Sequence, residues 1–248
     1  MAVMAEGVQG VMEDMLADLL NFVENKVFTQ EEVDAVVQRR KDLEYKLARR
    51  SPAKRHFLKA IQYELSLESL RIARKIDLQI TRPFASDHSS TSYTVLRRIT
   101  NLFHRLLRRY PGDIQSWKEF IGFCLRKQLA KPLEGALARA LQLNPCCEDL
   151  WLLADAAEKT QKQGDWETRR ALLQRAVRLN SSSVKLWEAY LRMEVEYWQT
   201  VREREGVSKE LRDGAIPRLV LEEAEQKLGR GKMDKLLQIA QSHPALLA

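Results

Sequence analysis

Residues 137–151 read LARALQLNPCCEDLW, and residues 173–187 read LQRAVRLNSSSVKLW. Both stretches open on the pattern Leu-x-Arg-Ala and close on a tryptophan, and the two tryptophans, Trp151 and Trp187, are 36 residues apart. A third tryptophan, Trp117, precedes Trp151 by 34 residues. A large aromatic residue therefore recurs with the period of repeat proteins in which each repeat is a pair of helices.

Other residues repeat in the same frame. The Leu-x-Arg-Ala pattern places Arg139 and Ala140 before one tryptophan, and Arg175 and Ala176 before the next. Phe57 opens a similar frame nearer the N-terminus, since an alanine follows it after three residues and a glutamate after seven. Units of this kind cannot bury their apolar faces alone and must stack on their neighbours. The sequence therefore predicts an all-α fold, an α-solenoid of helical hairpins.

Each repeated residue type suits a different place in such a stack. A tryptophan is a large apolar body with one hydrogen-bond donor, so it can fill the joint between helices. A small alanine lets the neighbouring helix approach closely. The repeated arginines and glutamates either form partly buried interhelical pairs or lie exposed, where they contribute little. We expect the repeat-packing residues to be Phe57, Trp117, Trp151, Trp187, Arg139, Ala140, Arg175 and Ala176.

Helical periodicity, prolines and polar stretches divide the chain into segments. We expect an N-terminal helical segment leading into the first repeat helix, a loop, the main repeats and a further helical pair, at residues 1–80, 81–92, 93–205 and 206–248. Helices are predicted at about residues 5–25, 29–50, 52–80, 93–110, 113–128, 132–143, 148–162, 166–179, 183–204, 215–228 and 232–242.

Two of these helices have specific start signals. Thr29 followed three residues later by Glu32 is a candidate capping box, in which hydroxyl and carboxylate each accept a hydrogen bond from the other residue's amide. Ser51 and Pro52 are predicted to be the N-cap and first helical residue of the next helix, where the missing proline amide costs nothing.

The composition and the absence of known motifs argue against catalysis. Three cysteines, Cys124, Cys146 and Cys147, form no CxxC motif, and the four histidines are far apart in sequence, so zinc and redox chemistry lack evident ligands. A glycine-rich phosphate loop and a GxSxG motif are also absent. We expect no enzymatic activity, no cofactor and no small-molecule substrate. A membrane partner is not expected either, because no apolar stretch is long enough to span a bilayer and no signal peptide is evident.

The net charge of +7 is concentrated in one region. Residues 51–110 contain 12 basic and four acidic residues, and a basic run precedes them. Clustered cations attract phosphates, because binding releases counterions, but such runs are more often solvated helix faces. Stacking on bases would need exposed aromatic residues, whereas Phe57 and Tyr63 fit a core. The candidate surface for RNA or a protein partner comprises Arg39, Arg40, Lys41, Arg49, Arg50, Lys54 and Arg55.

The repeat resembles the half-a-TPR (HAT) repeat, which has an aromatic residue and a glutamate in its first helix and Arg-Ala, often with proline, at the end of its second. The ordinary tetratricopeptide pattern fits less well, because Phe120-Ile121 and Ala154-Asp155 stand where that repeat has Leu-Gly. This resemblance implies a place in an RNA-processing assembly.

Three further segments resemble one particular family. Val27-Phe28-Thr29-Gln30-Glu31-Glu32-Val33, the stretch from Arg40 to Arg50, and Gly214-Ala215-Ile216-Pro217-Arg218-Leu219-Val220 are similar to the U3 small nucleolar RNA-associated protein 6 family. Members of that family are considerably longer, so we expect this sequence to be an N-terminal portion or a shortened form.

The family resemblance implies a non-catalytic scaffold in the nucleus and nucleolus, within the UTP-B subcomplex of the small-subunit processome. Its expected partners are other UTP-B and processome proteins, with U3 snoRNA or pre-rRNA as a further partner during 18S rRNA maturation. The alternative is a HAT-repeat scaffold of another RNA-processing complex, acting in mRNA 3′-end processing or splicing.

Overall fold

The computed structural model describes residues 10, 13, 19, 22–24, 26–78, 90–161, 165–202 and 213–242. These residues form α-helices and turns, and none of them belongs to a strand, so the predicted all-α class is confirmed. The helix predicted over about residues 5–25 lies largely outside the described residues. The chain divides into two compact units, residues 1–116 and residues 117–248.

Within its described residues, the first unit contains three long helices: α1 (Gln30–Leu47), α2 (Lys54–Asp77) and α3 (Ser90–Arg109). The predicted capping box opens α1, since the Thr29 hydroxyl accepts from the Glu32 amide at 3.3 Å and the Thr29 amide donates to the Glu32 carboxylate at 3.0 Å. Two of the amides that this helix start would otherwise leave unpaired are thereby satisfied.

The start predicted for α2 is wrong. The backbone of Ala53 is extended and serves as the N-cap, so the helix begins at Lys54, without a side-chain cap. Pro52 lies outside the helix and is buried, and its carbonyl accepts a hydrogen bond from the Tyr110 hydroxyl at 3.1 Å. Pro52 therefore links the turn before α2 to Tyr110 and is not part of the first turn of α2.

The ends of the first-unit helices also differ from prediction. Helix α1 ends at Leu47 and α2 at Asp77, three residues before the predicted ends, and α3 begins at Ser90, inside the predicted loop. The hydroxyl residues that start α3 were interpreted as loop residues, but such residues are also tolerated near the start of a helix.

The core of the first unit lies where α2 packs against α1 and α3. Its side chains recur at three- and four-residue steps, as one buried helix face requires. Each fully buried aliphatic or aromatic side chain stabilises the fold by about 1.5–3 kcal/mol. The core residues include Val33, Leu43, Leu47, Phe57, Ile61, Ile99, Leu102, Phe103 and Leu106.

The boundary between the units falls within α4 (Ile114–Arg126). The other helices of the second unit are α5 (Ala130–Leu143), α6 (Glu148–Gln161), α7 (Trp166–Leu179), α8 (Val184–Val201), α9 (Ala215–Leu228) and α10 (Asp234–Gln241), with a 3₁₀ turn at Arg230–Lys232. From α5 to α9 each helix packs against the next, while α8 also contacts α6 and α10. Helical pairs therefore stack in sequence order, as the repeat predicts.

Glycines flank α9, the first helix of the final pair. Gly214 precedes α9 with φ 78°, and Gly229 follows it with φ 76°, a backbone region that side chains with a Cβ rarely adopt. The helices at 215–228 and about 232–242 are thereby separated as predicted, and their side chains Val220, Ala224 and Leu236 join the same core as Trp187.

Candidate interaction surface

The repeated tryptophans lie in the joints between helices. Trp117, Trp151 and Trp187 are all buried. The Trp151 indole N–H donates to the carbonyl of Pro145 at 2.8 Å, and the Trp187 indole N–H donates to the carbonyl of Ser181 at 2.9 Å. Each ring thus fills the core and ties its helix to the preceding turn, which satisfies the one polar atom that burial would otherwise leave costly.

Side chains in the turns add a second set of links that we did not predict from the sequence. Asn180 Nδ2 donates to the Pro145 carbonyl at 3.0 Å and to the Ala176 carbonyl at 3.2 Å. Asn144 Nδ2 donates to the Ala140 carbonyl at 3.3 Å. The sequence signal was available, because Asn144 and Asn180 are 36 residues apart, the same interval as between Trp151 and Trp187.

The repeated alanines and arginines point to different environments. Ala140 and Ala176 are fully buried, whereas Arg139 and Arg175 are exposed. Adjacent helix positions are about 100° apart around the axis, so an alanine facing the core turns the arginine before it towards solvent. Of the two alternatives for these arginines, the exposed one therefore holds, and the assignment of Arg139 and Arg175 as repeat-packing residues is wrong. Arg139 donates to Gln142 at 3.2 Å on its own helix.

Two glutamates, each seven residues after an aromatic residue of the repeat (Phe57 or Trp187), pair with other arginines. Glu194 is fully buried and bound by Arg170, with Nε–Oε1 and Nη2–Oε2 distances of 2.5 and 2.6 Å. The hydrogen bonds to this carboxylate raise the pKa of Arg170, whose guanidinium also lies 4.7 Å from the centre of the Tyr197 ring. The ion pair joins α7 to α8 beneath the surface of the second unit.

Glu64, seven residues after Phe57, lies at the centre of a larger charged cluster in the first unit. Arg40 binds it with Nε–Oε1 and Nη2–Oε2 distances of 2.9 and 2.6 Å, and Arg98 Nε donates to the same carboxylate at 2.7 Å. Arg98 also reaches Glu44 at 3.0 Å, and Arg105 binds Glu44 at 2.9 Å. Three guanidinium groups and two carboxylates thus connect α1, α2 and α3.

This buried cluster corrects one of the predicted surface residues. Arg40 is only 3% exposed and its partner Glu64 only 1%, so Arg40 is not available to RNA or to a protein partner. Breaking such a pair leaves an uncompensated charge in a region of low dielectric, which typically costs about 3–5 kcal/mol. Arg40 is a packing residue of the first unit.

Most other members of the predicted surface are exposed. Together with two exposed lysines, they lie on α1, on α2 and in the turn between these helices. We call them the basic surface: Arg39, Lys41, Lys46, Arg49, Arg50, Arg55 and Lys59. Lys54 is partly buried and forms an ion pair with Asp113 at 2.5 Å, so its charge is locally neutralised.

His56 shows that several of these cations converge. Partial burial lowers the pKa of His56, and so do the charges of Arg55, Arg49, Lys46 and Lys59. A cation cluster disfavours protonation of a nearby imidazole because both carry positive charge. The α3 end reaches the same turn, since Arg109 donates to the Ser51 hydroxyl at 3.3 Å.

The described residues bear on three other possibilities: a metal site, a reactive thiol and a membrane-spanning helix. No group of three or more His, Cys, Asp and Glu in the described ranges is arranged to hold a metal ion. Burial raises the pKa of the Cys124 thiol to about 12, which keeps it in the unreactive thiol form. Among the described helices, none has both the length and the apolar character needed to cross a bilayer.

Two known protein families match parts of this chain. The family described as U3 small nucleolar RNA-associated protein 6 matches residues 12–98, and the family described as PRP39 N-terminal HAT repeat matches residues 88–203. Neither description names an enzymatic activity. The HAT match and the stacked helical pairs confirm the predicted class of all-α HAT-repeat folds.

Curated proteins that carry the first of these names are similar to this chain. The U3 small nucleolar RNA-associated protein 6 of Schizosaccharomyces pombe is 32% identical over 78% of this chain and 39% of its own length. The human and mouse homologues are each 28% identical, over 86% and 80% of this chain. The chain is related to the U3 small nucleolar RNA-associated protein 6 family. It spans 39% of the S. pombe relative, 35% of the human one and 32% of the mouse one.

Proposed function

We propose that this relative of the U3 small nucleolar RNA-associated protein 6 family is a non-catalytic scaffold in nucleolar pre-rRNA processing. It acts within the small-subunit processome, in the UTP-B subcomplex, during maturation of 18S rRNA. The observation that carries this proposal is the similarity to proteins of that name over 78–86% of the chain in the S. pombe and human comparisons. Those alignments are too long to lie within either unit alone, so the proposal concerns the chain as a whole.

The packing of each unit supports a role in positioning other components. Buried tryptophans tie α6 and α8 to their preceding turns, and the five-residue charged cluster ties α1, α2 and α3 together. Interior contacts of this kind hold surface side chains at fixed separations, as a binding surface requires. The chain then works through protein contacts on its exposed helix faces.

One observation favours a second candidate. The PRP39 N-terminal HAT repeat family matches residues 88–203, which cover most of the repeats of the second unit. A scaffold of another RNA-processing complex, acting in mRNA 3′-end processing or splicing, would use the same fold. The two candidates differ in the RNA and proteins that accompany the chain.

Affinity purification of the tagged full chain from cells distinguishes the candidates. The co-purified RNA is sequenced, the proteins are identified by mass spectrometry, and the tagged protein is localised by microscopy. We expect nucleolar signal, U3 snoRNA, 18S precursor RNA and processome proteins. Recovery of spliceosomal or 3′-end-processing components without U3 snoRNA would contradict the proposal.

A matched pair of variants shows whether the association depends on the fold. Trp151→Ala removes a buried joint and should reduce recovery of U3 snoRNA, whereas Leu219→Ala alters a side chain that is 62% exposed and should leave the recovery unchanged. Protein levels are compared in the same samples, because an unstable variant is degraded and lowers recovery for that reason alone.

A further inference from the structure

Among the aromatic residues whose side-chain exposure the structure describes, Tyr45 on α1 is the one that is exposed, with 42% of its surface accessible. Tyrosine carries a large apolar ring, and an exposed ring of this kind gains free energy when a flat partner covers it. The other described aromatic side chains are buried or partly buried, Tyr63 among them. The single exposed ring lies inside the basic surface, between Lys41 and Lys46 in sequence.

Helix geometry places cations around this ring. Lys41 precedes Tyr45 by four residues on the same helix, so the two side chains are neighbours on one face. Lys46 follows Tyr45 directly, so it lies about 100° further around the helix and flanks the ring rather than facing it. Lys46 and Arg49 both lower the pKa of His56, so both lie close to the turn that follows α1.

The basic surface has few local counter-ions. Glu44 lies in the same segment, but it is buried and occupied by Arg98 and Arg105. The exposed acid of residues 39–59 is Asp42, which accepts a hydrogen bond from Gln38. None of the described carboxylates forms an ion pair with any of the seven cations of the basic surface. Their charge is therefore available to a polyanion.

Exposed cations around a flat ring fit one ligand class better than others. Phosphates pair with Lys and Arg, and an unpaired base stacks on an aromatic side chain. In double-stranded RNA the bases are already stacked and offer no free face. An acidic peptide would satisfy the cations but leaves Tyr45 without a planar partner.

We propose that the basic surface binds single-stranded RNA, with a base stacked on Tyr45 and phosphates bound by Lys41, Lys46 and Arg49. This inference deepens the proposed function by naming the ligand class of one surface. It concerns direct binding by the purified chain, so its outcome is separate from whether the chain enters the processome.

The test measures binding of the purified full chain to a labelled 12-nucleotide oligouridine by fluorescence anisotropy at several salt concentrations. An RNA duplex of the same length is measured in parallel. We expect single-stranded binding that weakens steeply as salt rises and exceeds binding to the duplex. Affinity that is independent of salt, or that is equal or greater for the duplex, would overturn the proposal.

Variants separate stacking from charge. Tyr45→Ala should weaken binding by about tenfold without changing the salt dependence, while Tyr45→Phe should bind nearly as well as the wild type. The double variant Lys46→Ala, Arg49→Ala should reduce the salt slope by about one to two. Arg192→Ala, which removes an exposed arginine paired with Glu188 in the second unit, is the matched control and should have no effect.

Oligoglutamate tests the competing occupant. If oligoglutamate binds as tightly as oligouridine and the Tyr45→Ala variant binds both like the wild type, the surface belongs to an acidic protein partner and the proposal fails. Circular dichroism of each variant verifies folding. Tyr45, Lys46 and Arg49 are exposed, so we expect unchanged helix content.

Discussion

The two units link neighbouring helices with different kinds of side chain. In the second unit a tryptophan opens the repeat, and the Pro145 carbonyl accepts hydrogen bonds from both Trp151 and Asn180. In the first unit Phe57 opens the repeat, and its side chain has no hydrogen-bond donor. The turn before it is instead linked by a hydrogen bond from the Tyr110 hydroxyl to the Pro52 carbonyl. A charged cluster around Glu64 supplies further links there.

The difference extends to the surface. In the second unit several exposed cations have carboxylate partners, as in the pairs Lys159–Glu196, Lys185–Glu148 and Arg192–Glu188. In the first unit the two central glutamates are buried and bound by three arginines, so neither is available to the seven cations of the basic surface. Together with the excess of basic over acidic residues in the sequence, this burial leaves the basic surface positive.

The largest effect is expected from the tryptophan joint. Trp151→Ala should lower the free energy of unfolding by about 3–5 kcal/mol, because it empties a packed site and removes the hydrogen bond to Pro145. Urea denaturation followed by circular dichroism measures this loss. Trp166→Ala, at a partly buried ring on α7, is the control and should cost less. An unchanged unfolding midpoint for Trp151→Ala would show that packing does not hold the second unit.

The charged cluster gives the next effect. Glu64→Gln keeps the side-chain shape but removes the charge that Arg40 and Arg98 share, so it should cost about 3 kcal/mol. The control Glu222→Gln changes an exposed glutamate and should leave the unfolding midpoint within error. If both variants behave alike in urea titrations, the first unit does not depend on its buried charges.

Trp151 and Glu64 also show how much of the site could be predicted from the sequence. The 34- and 36-residue spacing predicted the buried tryptophans, because periodicity reports which residues share a core face. The glutamates were recognised, but the pairing arginines were not, since Arg170 and Arg98 lie outside the repeated Leu-x-Arg-Ala pattern. Pairing depends on which helix faces meet, and a single sequence does not contain that information.

The basic run illustrates the same limit. Composition predicted a cluster of cations, yet it could not separate buried Arg40 from exposed Arg39, which are neighbours in sequence. Tyr45 was overlooked for a similar reason, because aromatic residues in helices are usually in the core. Helix boundaries were predicted within a few residues, except where Ser51-Pro52 and residues 90–92 allowed two interpretations.

A smaller effect is expected from the turn links. Asn180→Ala removes two side-chain hydrogen bonds, to Pro145 and Ala176, and should cost about 1 kcal/mol. Thermal unfolding monitored by circular dichroism measures the shift. Asn101→Ala, at an exposed asparagine of α3, is the matched control. A larger loss for Asn101→Ala than for Asn180→Ala would refute the assigned role of the turns.

The smallest effect depends on pH. Hydrogen bonds from Arg74 and from the Thr29 amide lower the pKa of Glu32 from 4.5 to about 2. Because the folded-state pKa is below its usual value, the stabilisation is present above about pH 5 and is lost as the pH falls towards 2. The pair is more than a third exposed on the Glu32 side, so solvent screening limits it to less than about 1 kcal/mol.

Glu32→Gln tests this pH dependence. The difference in urea midpoint between wild type and variant should be greatest at pH 7 and should shrink at pH 3. Glu31→Gln, at the neighbouring exposed residue of the same helix turn, serves as the control. A difference that grows on acidification would have the wrong sign for a lowered pKa.

Crosslinking and mass spectrometry of the native assembly, purified through the tagged full chain, tests the scaffold account most directly. The account predicts crosslinks from exposed lysines of both units to processome proteins, and ultraviolet-induced nucleotide adducts on the α1 segment that contains Tyr45. Crosslinks only to splicing or 3′-end-processing proteins, with no nucleotide adduct in residues 39–59, would contradict it.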